Sequence, residues 1–164
     1  MSALHSQHNN TGAQKPVPVS TPATFVDTNV LLKKAIQRLP SSIRSGIVLR
    51  CDELARLQIS EEAMEKAFSQ LLQMIIEERE AGTKLFLHIT CSKEKKQEQE
   101  TTSDQFSRFL IQFHTNLKPH AAWMQDAESR INNIASLLTP FGGRLLVNQL
   151  KNSGCVFVIS LPGK

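Results

Sequence analysis

SEEAMEKAFSQLLQMIIEERE (Ser60–Glu80) is the stretch whose periodicity settles its own structure. Met64, Ala67, Phe68, Leu71, Leu72, Ile75 and Ile76 recur at i, i+3, i+4, i+7 and i+8, so they form one broad apolar stripe on a helix. Glu61, Glu62, Glu65, Lys66, Glu77 and Glu78 occupy most of the opposite face. Ser60 is placed to cap the helix, the first-turn glutamates complement the positive end of its dipole, and Gly82 ends it. A stripe this wide needs a sheet or another helix to cover it. Ser60–Glu80 is therefore expected to be the central core helix of a packed domain.

Downstream, Thr83 to Cys91 alternates Leu85, Leu87 and Ile89 against Lys84, Phe86, His88 and Thr90, the two-residue period of a strand with one face in the core. Upstream, Gly46 to Cys51 reads as a short strand and the residues from there to Ile59 as irregular. Asp27 caps a helix that runs to about Arg38 and is terminated by Pro40. Ser92 to Ser103 is charged and featureless, so a long loop is expected there. Asp104 then caps a short helix carrying Phe106, Phe109, Leu110 and Phe113, which reads as a core face. A loop containing Pro119 follows, and a further helix runs from about Met124 to Leu138. Arg144–Leu150 and Cys155–Leu161 form a closing hairpin beyond Gly142 and Gly143.

Helices and strands are thus interspersed while the last two strands form a hairpin. The expected fold is α+β, a two-layer α/β sandwich with a mixed, mainly antiparallel sheet covered on one face by helices. Residues 1–24, rich in Ser, Thr, Pro, Asn and Gln, read as a disordered leader or linker, and residues 25–164 as a single domain.

Composition excludes several classes of function. The net charge of +4 is mild, the basic residues are scattered, and there is no tyrosine and one tryptophan, which argues against nucleic acid as the partner. No apolar run approaches the ~20 residues of a membrane span, and the N-terminus lacks signal-peptide order, so a cytoplasmic protein is expected. Cys51, Cys91 and Cys155, odd in number and each inside an apolar run, read as buried free thiols in a reducing compartment. There is no CxxC and no HExxH, and His5 and His8, three apart, lie in the polar leader, so no metal site is expected. His88 falls on a strand, His114 and His120 flank loops, and none lies on a long dimerisation helix followed by an acidic residue.

Four segments, in order, resemble the ATP-binding domain of sensor histidine kinases, a member of the GHKL superfamily. Phe25 to Leu32 is similar to the opening helix of that family. Phe68 to Ile75 sits where the N-box NLLxNA belongs, and Asp104 to Phe109 resembles the iFerF segment. Phe141-Gly142-Gly143-Arg144 through Leu161-Pro162 resembles the closing hGGri…Gt.f.i.LP pattern and is the most specific match.

The resemblance implies a nucleotide site, and the three boxes that form it are altered. Where the family carries two N-box asparagines, the second ligating magnesium, this chain has Gln70 and Met74. A thioether is a poor ligand for an ion that demands hard oxygens. Gln73 is one position out of register, about 100° around the helix. Extending the strand alternation places Cys91 at the adenine-binding aspartate and Lys93 and Lys95 at the glycines that follow it. The phosphate-cradling lid has no glycine between Gly82 and Gly142.

The resemblance therefore implies a degenerate ATP-binding domain without cofactor or catalytic residues. Its expected role is as a protein-interaction module in two-component signalling, with a histidine kinase, a dimerisation helix pair or a response regulator as partner and a homodimer as a further option. Two other readings stand beside it. One is an atypical ATP- and Mg-binding domain using Gln70, Gln73 and the lysines Lys93, Lys95 and Lys96. The other is an unrelated α/β-sandwich binding domain. Trp123, just before the last helix, would either plug the vacated cleft or staple the helix start.

Overall fold

The computed structural model describes residues 24–94, 107–118, 121–151 and 154–163. In chain order the elements are β1 (Thr24–Asp27), α1 (Thr28–Gln37), α2 (Ser41–Arg44), β2 (Ile47–Cys51), β3 (Arg56–Ile59), α3 (Glu61–Glu77), β4 (Leu85–Glu94), β5 (Arg108–Thr115), α4 (Ala121–Leu138), a 3-10 turn (Thr139–Phe141), β6 (Arg144–Leu150) and β7 (Gly154–Pro162). Five strands form one sheet in the order β2-β4-β5-β7-β6, parallel between β2 and β4 and antiparallel elsewhere. β1 and β3 form a separate antiparallel pair. This is the expected mixed, mainly antiparallel α+β arrangement.

α3 organises the core as its sequence requires. Ser60 Oγ accepts from Ala63 N at 3.3 Å, and Met64, Ala67, Phe68, Leu71, Leu72, Met74 and Ile75 are all buried. Burial of each large member of that stripe contributes about 1.5–3 kcal/mol. The stripe packs on the inward faces of the central strands: Leu85, Leu87 and Ile89 of β4, Ile111 and Phe113 of β5, and Phe157 and Ile159 of β7 belong to the same buried cluster. Phe68 meets Phe113 with ring centres 6.0 Å apart, tilted at 56°. Helices α1 and α4 flank α3.

Side chains at the start of α1 tie the N-terminal elements to the segment before β3, and Thr28 Oγ1 donates to Ala55 O at 2.6 Å. Asp27 caps α1 by accepting from Asn29 N at 3.0 Å. Asn29 in turn accepts from Leu54 N at 2.8 Å and donates to Leu54 O at 2.9 Å, in the manner of one more backbone rung.

Several local expectations are corrected. The residues expected to form a helix after Asp104 are strand β5 where they are described, with Phe106 lying outside the described residues. Phe109 and Phe113 are four apart, a spacing that suits a helical turn and two strand periods equally. Pairing with β4 on one side and β7 on the other decides for the strand, turning Ile111, Phe113 and Thr115 inward and leaving Leu110 on the other face. His114 therefore lies within a strand, not beside a loop; His120 lies outside the described residues.

The irregular stretch before Ile59 contains β3, whose Leu57 and Ile59 are buried. The last helix begins at Ala121, which places Trp123 in its first turn, not ahead of it. Cys51 is exposed because β2 is an edge strand, Cys91 is half-buried, and only Cys155 is fully buried, where desolvation pushes its thiol up to about 11. β4 extends to Glu94, and most of the expected charged loop and leader fall outside the described residues.

Candidate nucleotide site

The three N-box positions of α3 separate in space. Gln70 is exposed and lines a depression of about 370 Å³ with Arg38, Glu62, Glu65, Lys66 and Ser69. Gln73 is also exposed, and its amide donates to Glu77 Oε1 at 3.0 Å. The other oxygen of Glu77 accepts from Arg130 of α4 at 2.6 Å. The hydrogen bond from Gln73, with that from Arg130, holds the Glu77 carboxyl below its ordinary value. Met74 is fully buried in the core cluster. Met74 borders the apolar stripe and is buried where α3 meets its neighbours, while Gln70 and Gln73 lie further round the helix toward solvent.

On the sheet, Cys91 pairs with Ile111 and Lys93 with Phe109, and the Lys93 ammonium lies 5.8 Å from the centre of that ring. Lys95 and Lys96 lie outside the described residues. The ladder places Cys91 and Lys93 far from the start of α4. Leu87 is the β4 residue opposite Thr115, the end of β5 from which the chain turns toward α4. Lys93 is six residues beyond it, about 20 Å along the strand. Among the described residues, Gln70 lines the depression beside Arg38, Gln73 bonds to Glu77, Met74 lies in the core, and Cys91 and Lys93 lie on β4.

The strand end that adjoins the last long helix is that of β5, and sequence analysis did not single out its residues. Thr115 Oγ1 donates to Cys155 O at 2.8 Å and receives Leu117 N at 3.4 Å, so its hydroxyl is occupied inside the sheet. Asn116 Oδ1 accepts from Phe86 N at 2.9 Å and its amide donates to Lys84 O at 3.0 Å, continuing the ladder one step past β5. Leu117 is buried, and Trp123 lies edge-on to Phe157 with ring centres 6.1 Å apart. A depression of about 250 Å³ opens beside this strand end, lined by Glu78, Arg79, Glu80, Lys84, Asn116 and Lys118 among others. A polar residue placed directly after a strand and just before a helix is the signal that would have found Asn116.

The donor set does not suit a magnesium–nucleotide complex. The α3 position at which the resemblance implies a magnesium ligand, Met74, is a thioether closed off from solvent, and the polar groups of Thr115 and Asn116 are bonded to backbone. Among the described residues no three of His, Cys, Asp and Glu converge as metal ligands, and no helix is long and apolar enough to cross a membrane.

Compared by sequence, the chain matches no family profile and no curated protein. Compared by structure, it is similar to histidine kinase domains. The catalytic domain of the histidine kinase ThkA, in a nucleotide-free form, aligns over 85% of this chain and 95% of its own at 17% identity, with a TM-score of 0.61. The histidine kinase AdeS of Acinetobacter baumannii aligns over 85% of this chain and 66% of its own at 13% identity, TM-score 0.59. The ATP binding domain of PrrB from Mycobacterium tuberculosis aligns over 87% and 98% at 12% identity, TM-score 0.58.

The fold is that of a histidine kinase ATP-binding domain. At 12–17% identity the likeness is one of fold, and the chemistry of this chain is a question for its own side chains.

Proposed function

We propose that this domain keeps the histidine kinase ATPase scaffold as a non-catalytic, cytoplasmic protein-interaction module in two-component signalling, its partner a histidine kinase, a dimerisation helix pair or a response regulator. The observation that carries this reading is Met74, fully buried at the position where the family presents its magnesium ligand. A side chain wholly inside the apolar core is inaccessible to a hydrated ion, and sulfur is the wrong donor for it. Support also comes from Thr115 and Asn116, whose hydrogen-bonding capacity is spent on the protein's own backbone. Positioning is most of phosphoryl-transfer catalysis, and no lysine-bearing glycine framework replaces what is missing.

Titration calorimetry with Mg·ATP tests the reading. It requires no heat of binding up to millimolar nucleotide; micromolar affinity overturns it. Residual nucleotide binding is the second reading, favoured by the cations Arg79, Lys84 and Lys118 around the 250 Å³ depression. It requires a binding heat that Lys84→Ala or Lys118→Ala removes.

A further inference from the structure

Strand β6 is an edge of the five-stranded sheet, bonded to β7 on one side only. Every second residue of such a strand directs its N–H and C=O outward. Among the described residues, no hydrogen bond joins Arg144–Leu150 to any element other than β7. The usual protections are missing too. β6 has no proline, its one charge is the first residue, Arg144, and Leu146 and Leu150 are 51% and 47% exposed. The opposite edge, β2, is shorter and carries Arg50 in its body.

We propose that β6 is a homodimerisation strand, pairing antiparallel with β6 of a second copy about a two-fold axis at Asn148. The self-complementarity of the sequence selects this partner and this register. Residues facing one another across a two-fold antiparallel pair lie on the same face, so the centre falls on a residue, not between two. Centring on Asn148 sets Leu146 of each copy opposite Leu150 of the other, covering both exposed leucines at once. Val147 then faces Gln149, Asn148 faces its symmetry mate, and Leu145 faces Lys151, with no like charges opposed. Centring on Val147 instead sets Arg144 against Leu150 and Leu146 against Asn148, which covers neither leucine with an apolar partner. The dimer joins two sheets into one continuous sheet. Its contact is at the small end of interface sizes, so dissociation on the order of 10–100 µM is expected.

Sedimentation of the 164-residue chain over that concentration range tests the proposal. The expected result is reversible growth from 18.3 kDa toward twice that mass. Leu146→Lys and Leu150→Glu alone each weaken association at least about tenfold, since each pits a charge against a leucine twice per dimer. Mixed one to one they regain wild-type association, because Lys then faces Glu on one side of the axis and Leu faces Leu on the other. That recovery also shows that both variants fold. Asn148→Cys in a Cys51→Ser background cross-links to itself on mild oxidation, because directly opposed residues lie about 4.5–5.5 Å apart, within disulfide reach. A wild-type chain that stays monomeric throughout, or a mixture that associates no better than its components, overturns the proposal.

Discussion

The imidazoles of His88 and His114 face each other across the β4–β5 ladder with ring centres 5.9 Å apart. Asp52 Oδ1 lies 3.3 Å from His88 Nε2, and Thr90 Oγ1 lies 3.4 Å from His114 Nε2. Desolvation, and then the charge of His88, holds the His114 imidazole below its ordinary value of 6.5. The folded protein thus binds this proton less readily than the unfolded chain, so stability is lost as pH falls through 6.5 and levels off below the depressed folded value. Urea midpoints measured from about pH 7.5 to about pH 5.5 should fall, and His114→Gln should flatten the trend. An undiminished slope in that variant would assign the effect elsewhere.

Restoring the family's magnesium ligand should not restore binding. Met74→Asn places an amide at a fully buried position of the apolar core, so it loses packing and strands a polar group. A destabilisation of about 3 kcal/mol or more is expected, read as a shift in denaturation midpoint. Calorimetry on whatever fraction remains folded should show no Mg·ATP affinity.

Two glycines with positive φ should respond very differently to alanine. Gly154 has φ +123°, and a Cβ there would lie 1.9 Å from Thr115 O, a backbone atom with nowhere to go. Gly82 has φ +82° with open space around it. Gly82→Ala should cost about 1 kcal/mol, the conformational penalty alone. Gly154→Ala should cost ~3 kcal/mol or more and disturb the β5–β7 pairing, visible as faster amide exchange in both strands.

Asn29 stands in for a missing rung between α1 and the segment leading to β3. Asn29→Ala removes the acceptor for Leu54 N and the donor for Leu54 O together, and an expected loss of about 1–3 kcal/mol follows. Asn29→Asp keeps the acceptor for Leu54 N but turns a carboxylate oxygen toward Leu54 O and Asp27 Oδ1, so it should melt no higher than the alanine variant at neutral pH.

The parts of the fold legible in the sequence were those where one period dominates over many residues. α3 has a seven-residue stripe at helical spacing and a serine cap, and it forms where expected; β4 alternates cleanly, and β7 is apolar but for Ser160 and lies inside the sheet. β5 was misread because two phenylalanines four apart satisfy both periods, and only its neighbours in the sheet distinguish them. β3 was missed because four residues carry too little pattern, and its partner β1 is distant in sequence. In the site, the identities of Gln70, Gln73 and Met74 were legible, but which of them would be buried followed only from where the stripe meets its neighbours. Asn116 went unmarked because the strand it follows reads as a helix in the sequence, so a polar residue at a strand end had no strand to sit on.

The placement of β7 has a consequence for how the chain is made. Gly154–Pro162 lies between β5 and β6, buried on both faces, although it follows every other element in sequence. Until a ribosome has delivered those residues, β5 and β6 have no shared neighbour and the sheet is split. The five-stranded sheet can close only once β7 has been made, and until then the apolar faces of β5 and β6 stay open to chaperones and proteases.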